Sequence, residues 1–318
     1  MITALFWSLL EMTLLQSQDS AAAKLLRDAD QVFGAQNYAE ALPRYRACSE
    51  QAAKDGDRAA QVESLAQVAR CYSIEGKLDE GRPWLERAEK LATADEPLGW
   101  SRCLGVRGIF QRESGDKTKA KATFEEMHRY CVEKKLFKRA IDAIHHIAIV
   151  VPPAEQPAWA LKGIAAAEQL KDEALLAILW NNLGATYEDL KQVDAMLEAY
   201  LKAREYHHRT GGPLQKMIAD WAVGHGYRLA GKLPEAETWL KKALPQALDL
   251  HAKEPRPDTV EWVGWCRKDL GELLLARGEK AAALELLKQA RAALVEAGID
   301  KSWPEGFKSL EEALEKAR

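Results

Sequence analysis

One spacing constrains this chain more than any other feature. Small or medium residues recur in threes, separated by 12 and then by 7 residues. The sets are Ala29, Ala41 and Cys48; Ala69, Gly81 and Ala88; Gly108, Ala120 and Met127; and Ala148, Ala160 and Ala167. Gly184, Met196 and Ala203, then Gly224, Ala236 and Ala243, then Gly271, Ala283 and Ala290 complete the series. From set to set the middle site advances by 40, 39, 40, 36, 40 and 47 residues. Four residues after each middle site stands a larger apolar group: Tyr45, Leu85, Phe124, Ile164, Tyr200, Leu240 or Leu287. Three residues after each first site stands Val32, Tyr72, Gln111, Val151, Tyr187, Tyr227 or Leu274, with Gln111 the polar departure.

Two antiparallel helices approach closely only where their side chains are small, so this register predicts helix pairs meeting at the small sites, with the larger residues filling the flanks. A spacing of 12 leaves room for a helix end, a tight turn and a helix start. A spacing of 7 is two turns along one helical face. Seven residues after the first site, Gly76, Gly115, Gly231 and Gly278 permit the positive φ that ends a helix. Gln36, Glu155 and Lys191 stand there in the other repeats, and those turns are expected to close differently. Val150-Val151-Pro152-Pro153 makes the fourth repeat the most irregular. The long step before the seventh contains Glu254-Pro255-Arg256-Pro257-Asp258, whose two prolines predict a protruding loop rather than a longer helix. Near the end, Ser302 and Glu305 suggest a capping box opening a last helix across residues 300–318, with Trp303, Phe307, Leu310, Leu314 and Ala317 along one side. A solenoid needs such a cap over its last apolar face.

Trp180, Leu183, Gly184 and Tyr187, followed by Tyr200 and Ala203, resemble the tetratricopeptide signature, with departures at Met196 and Lys191. The resemblance implies an all-α, right-handed superhelical solenoid of antiparallel helix pairs, about seven repeats across residues 19–299 plus the C-terminal capping helix. The period of about 40 exceeds the usual 34 and is similar to a longer-repeat branch found in signalling scaffolds and ligand-sensing bacterial regulators. In this family the first helix of each pair lines a concave groove. Positions minus six, minus three, plus one and plus four from the first small site share that stripe. Carried over, they are Arg70, Arg102, Arg112, His145, Asn181, Glu188, Trp221, His225, Arg228, Trp265, Lys268 and Glu272. Trp and Arg are common interface anchors, which directs attention to the sixth and seventh repeats. The family's carboxylate clamp is not in register here: Asn182 is present, but the flanking basic residues are not.

Charge and motifs exclude other classes. The net charge is -3, without the basic excess that a nucleic-acid binder uses to neutralise phosphates. Gly226 to Leu233 has the two glycines and the lysine of a phosphate loop, but Leu233 replaces the magnesium-binding hydroxyl and the segment follows a helix. It aligns with Gly76-Lys77-Leu78 and reads as a repeat turn. The pairs His145-His146 and His207-His208 point about 100° apart on a helix and do not suit one metal. No nucleophile signature, cofactor fingerprint or metal-ligand spacing appears. Cys48, Cys71, Cys103, Cys131 and Cys266 have neither finger nor redox spacing and are expected as buried thiols in a reducing compartment. Trp84, Trp159 and Trp239, on second helices, are assigned to packing.

Residues 1–18 are apolar enough for a signal-peptide core and too short for a membrane span, though no Lys or Arg precedes the run and Glu11 interrupts it. The alternative is an extra helix with Ile2, Leu5, Phe6, Leu9 and Leu10 on one face. A cytoplasmic location is therefore expected, or an exported one if this segment is a signal. The functional expectation is a non-enzymatic scaffold, without cofactor, that holds a peptide or protein. The alternative is a sensor that changes curvature on binding a ligand. Trp221, His225 and Arg228, with Trp265, Lys268 and Glu272 on the next first helix, are expected to share a trough for an acidic-hydrophobic peptide or an anionic ligand. Because neither Trp221 nor Arg228 belongs to the small-site ladder, the fold is expected to survive their loss.

Overall fold

The computed structural model describes residues 20–318 apart from Gln36. The expectations for the N-terminal segment and for the Gln36 turn fall outside these residues. Among the described residues the chain is all-α and without strands. It divides into two compact units, residues 20–152 and 153–318.

The N-terminal unit is a run of seven helices: α1 (Ala21–Gly34), α2 (Tyr38–Asp55), α3 (Arg58–Ile74), α4 (Leu78–Leu91), α5 (Pro97–Glu113), α6 (Lys117–Glu133) and α7 (Phe137–Val150). Each packs on the next, and the first helices α3 and α5 also touch directly. The C-terminal unit opens with a 3-10 turn at Pro153–Glu155. It continues through α8 (Gln156–Leu170), α9 (Glu173–Asp189), α10 (Val193–Thr210), α11 (Pro213–Leu229), α12 (Leu233–Lys253), α13 (Pro257–Ala276), α14 (Lys280–Glu296), the short α15 (Ile299–Ser302) and α16 (Pro304–Ala317). The fourth set of small residues is split, with Ala148 in one unit and Ala160 and Ala167 in the other. The other six sets each form a helix pair within a unit.

Inside those pairs the small sites lie beneath the large residues rather than simply opposite one another. A Cβ added to Gly108 would collide with the Phe124 ring, and one at Gly184 with the Tyr200 ring. At Gly224 and Gly271 it would stand 2.9 Å from Leu240 Cγ and 2.7 Å from Leu287 Cγ. The 12-residue and four-residue offsets are thus two parts of one contact, in which a missing side chain on the first helix admits a large one from the second. Ala29, Ala41, Tyr45, Ala120, Phe124, Ala236, Leu240, Ala283 and Leu287 are fully buried along these seams.

The turn glycines behave as their position requires: Gly76, Gly115, Gly231 and Gly278 all have positive φ. Lys191, expected to close its turn differently, adopts φ 56° and closes it in the same left-handed way. Lys191 N–H bonds Glu188 O at 2.8 Å and Gln192 N–H bonds Tyr187 O at 2.8 Å, matching Gly231 to Arg228 and Lys232 to Tyr227. The same two bonds close the glycine turn, so Lys191 keeps the strain of a side chain in this conformation. The Glu155 turn does differ, since Pro152 and Pro153 lead into the 3-10 turn instead.

Two further expectations need correction. The long step before the seventh repeat is absorbed by helix: α12 has 21 residues and α13 has 20, leaving only residues 254–256 between them. Pro257 sits at the first position of α13, where its missing N–H costs nothing. The Thr259 hydroxyl accepts from Arg256 N–H and so closes the connection. At the C-terminus no Ser302–Glu305 capping box forms. The Ser302 hydroxyl donates back to Gly298 O, and α16 starts at Pro304 after Trp303. The helix itself covers the end of the unit as anticipated, burying Leu310, Ala313, Leu314 and Ala317 against Leu287, Ala290 and Leu294.

All five cysteines are buried and free. Burial pushes the Cys71 and Cys103 thiols up to about 12, and those of Cys48 and Cys131 to about 11, so none is a ready nucleophile. The second-helix tryptophans carry cations as well as packing: Arg46 and Arg87 lie over Trp84, Lys162 over Trp159, and Arg204 and Lys242 over Trp239.

Candidate binding face

The first helices α9, α11 and α13 of the C-terminal unit bring one set of charged residues together. His225 on α11 places Nδ1 2.9 Å from Asp269 Oδ1 and Nε2 3.0 Å from Glu188 Oε1. Ionised carboxylates only accept hydrogen bonds, so both ring nitrogens must carry protons and the ring is an imidazolium. Burial alone would depress its pKa, but the two carboxylates outweigh burial and hold it at about 9. Asp269 is 2% exposed. Burial works to raise its pKa, and His225 and Arg228 drive it far below the usual carboxylate range instead.

Arg228, one turn beyond His225, donates from Nε to Asp269 Oδ1 at 2.6 Å and lies 3.0 Å from Glu272 Oε2. Lys268 reaches Glu272 Oε1 at 2.8 Å. Glu188 also accepts from the Tyr200 hydroxyl at 2.9 Å, which ties the network to the ring seated over Gly184. Three cations thus meet three carboxylates, and the cluster is neutral.

The predicted stripe is therefore brought together in part. Glu188, His225, Arg228, Lys268 and Glu272 form one connected set. Trp221 stacks on His225 with ring centroids 5.0 Å apart, but its aromatic partner is Trp262 at 4.9 Å. Trp265 is 8% exposed and packs toward α16, 5.5 Å from Trp303, with its indole N–H on Glu261. Trp221 also joins the packing of Met196, Met217 and Leu240. The fold is consequently not indifferent to Trp221 or Arg228: one supports the core and the other neutralises a buried acid. Asn181 is half-buried on α9.

In the N-terminal unit, Arg102 shares the buried Glu63 carboxylate with Arg139, at 3.4 and 2.7 Å. Arg112 pairs with its neighbour Glu113 and lies 3.5 Å from His146 Nδ1. Arg70 donates to Ser73 Oγ at 2.7 Å. His146, buried and stacked on Phe124 at 4.7 Å, is held neutral by desolvation, with its pKa at about 4. Burial also lowers His145.

Several charged groups escaped the sequence reading. Asp269 lies one residue off a stripe position, whereas Glu63 lies on one, at minus six of the second repeat, and was passed over. Arg139 belongs to the turn that begins α7. Asp220, fully buried, gathers Arg204, His208 and Lys242 at 2.6, 2.9 and 2.9 Å. For Glu63 and Asp220 the signal that could have found them is a single acid within a first helix, since a buried carboxylate requires partners.

Among the described residues no group of His, Cys, Asp or Glu is arranged to hold a metal ion, and no helix is long and apolar enough to cross a membrane.

Comparison with known proteins agrees with the repeat. Residues 177–205, from α9 into α10, match the family model described as tetratricopeptide repeat. No curated protein matches the chain. Among solved structures, a signal-transduction ATPase of Pyrococcus horikoshii with a tetratricopeptide repeat sensor is similar with TM-score 0.64 and 12% identity, over 93% of this chain. The chain spans 44% of that larger protein. A Rap protein complexed with Competence and Sporulation Factor gives TM-score 0.62 and 13% identity, over 93% of this chain and 85% of its own. The Rap conjugation gene regulator of plasmid pLS20, complexed with the Phr* peptide, gives 0.57 and 16%, over 89% and 76%. At these identities the likeness is one of fold.

Proposed function

We propose, for a chain whose fold is the tetratricopeptide repeat, that it is a non-enzymatic scaffold holding a peptide segment of a partner on the faces of its first helices. The fold is one that usually carries no catalysis. The observation that supports the reading is the convergence of Glu188, His225, Arg228, Lys268 and Glu272, with Trp221 beside them, on three first helices of one unit. Solvated surface charges rarely interlock in this way, whereas a recognition face presents fixed donors and acceptors at defined positions. The Rap conjugation gene regulator, determined in complex with the Phr* peptide, favours the same class of ligand. Asn181 and Glu188 supply partly exposed polar groups, and Trp221 supplies the aromatic edge.

Because the cluster is already neutral, a purely anionic ligand gains little here. A peptide whose polar groups exchange with the existing pairs fits better. Peptides selected by display against the full chain test this. They should lose at least tenfold in affinity for an Asn181→Arg variant and keep it for Lys241→Glu, which lies on second helix α12. Equal losses, or none, would count against the first-helix face.

A sensing role is the regulatory form of the same reading. It draws on the ion pairs that join α9, α11 and α13, since a ligand opening one of them would alter how those helices pack. Solution scattering with and without a selected peptide separates the two: a changed radius of gyration marks a sensor, and an unchanged one a rigid scaffold.

A further inference from the structure

Counting from the first small site of each repeat, the two units present the same face with different charge. In the C-terminal unit the carboxylates stand at plus four of the fifth repeat (Glu188) and at minus two and plus one of the seventh (Asp269, Glu272). Arg228, at plus four of the sixth, is held by the last two. In the N-terminal unit the corresponding arginine is Arg112, at plus four of the third repeat. The three carboxylate positions are occupied by Ser73, His146 and Ile149.

The contacts follow the register. Arg112 meets His146 where Arg228 meets Asp269. A neutral imidazole replaces a buried anion, so Arg112 retains only Glu113, a half-exposed neighbour whose pairing is cheap to exchange. Arg70 adds a second guanidinium, bonded to the neutral Ser73 hydroxyl. Its pKa is depressed first by burial and then by Arg112, so the two cations feel each other. Around them, Glu63 is consumed by Arg102 and Arg139, and Asp142 is exposed, 3.7 Å from His146 Nε2. Four arginines thus face four carboxylates, Glu63, Glu113, Asp142 and Asp30, of which only Glu63 is buried. Ile149, at the register position of Glu272, is 40% exposed and offers an apolar surface.

We propose that Arg70 and Arg112, with His146 and Ile149, form a subsite for the carboxylate side chains of an acidic peptide that also carries an apolar residue. The ligand supplies the negative charge that the C-terminal unit builds into its own chain. Guanidinium forks match planar carboxylates with paired hydrogen bonds, and two of them favour adjacent acidic residues over a single one. The inference rests on the first-helix face being the binding face. It relocates the acidic ligand from the neutral cluster around Arg228 to the N-terminal unit.

The test uses the full chain and a fluorescein-labelled hexaglutamate peptide at low salt, read by fluorescence anisotropy. Wild type should bind. Arg70→Gln with Arg112→Gln should weaken binding at least tenfold, while Arg70→Lys with Arg112→Lys should retain part of it. Lys242→Gln, which removes an equally charged group from second helix α12, should change it less than twofold. Unaltered helical circular dichroism establishes that each variant is folded. Failure of wild type to bind, or full binding by the glutamine double variant with Lys242→Gln also silent, overturns the subsite and leaves the scaffold reading to its own test. A loss confined to Lys242→Gln overturns both, because the acidic peptide would then sit on the second helices.

Discussion

Tyr200 lies directly over Gly184 and donates its hydroxyl to Glu188 Oε2 at 2.9 Å, so one ring joins the packing seam of α9 and α10 to the charged face of α9. The ring cannot swing aside for an added methyl without giving up that hydrogen bond. Gly184→Ala is therefore expected to destabilise the chain by about 1–3 kcal/mol, the usual cost of overpacking. Gly226, outside the ladder, would place a Cβ 3.3 Å from Leu197 and Tyr200, and helix propensity favours alanine there by about 1 kcal/mol. Its substitution should fall within about 1 kcal/mol of neutral. Denaturant melts of the two variants decide the matter, and equal costs would mean that the register is not what orders the seam.

The imidazolium of His225 makes stability depend on pH in a defined window. Its unfolded pKa is the ordinary 6.5 and its folded value about 9, so the contribution is complete below about 6.5 and disappears as pH rises through 9. The raised value corresponds to at most about 3 kcal/mol. Glu188 and Asp269 face the ring, and Arg228 Nη2 lies 3.4 Å from Nδ1. Melts at pH 6.5 and 9.5 should show wild type losing stability and His225→Gln losing distinctly less. Parallel slopes in the two proteins would contradict the protonation assigned to the ring.

Asp269→Asn is the severe substitution of the network. It removes the acid that neutralises both His225 and Arg228 in a buried setting, and breaking such a pair costs about 3–5 kcal/mol. The same change should bring the His225 titration well below 9 when followed by proton NMR. A titration left at about 9 would assign the shift to Glu188 alone.

Lys191 occupies a left-handed conformation at a turn where four other repeats have glycine. Lys191→Gly should stabilise by about 0.5–1 kcal/mol, the strain released slightly exceeding the chain entropy lost. Lys135 and Lys171, at φ 59° and 53°, provide parallel trials. A drop in melting temperature at all three would mean that their side chains contribute contacts worth more than the strain.

Much of the site was legible in the sequence because a helical stripe is a local property. Residues at plus one and plus four of a first helix share a face whatever surrounds them, and so His225 and Arg228 were found together. Asp269 was missed for the same reason, since it lies one residue from the stripe and joins it only across the contact between α11 and α13. Trp265 illustrates the opposite case: its position is on the stripe, but α16 arrives to cover it.

The amino-acid order determined the helix pairs by itself, because the 12 and 7 spacings dictate which side chains must be small for two helices to meet. It also determined most of the turns, through glycines that accept positive φ. Tertiary structure decided what the spacing cannot carry. It settled the charge state of His225, which depends on two carboxylates contributed by neighbouring first helices. It turned the residues before the seventh repeat into longer helices, because α12 and α13 could extend along each other's apolar faces. It also distinguished Arg228 from Arg112: the two occupy one register position, but a side chain's electrostatic role is set by its neighbours across the packing interface.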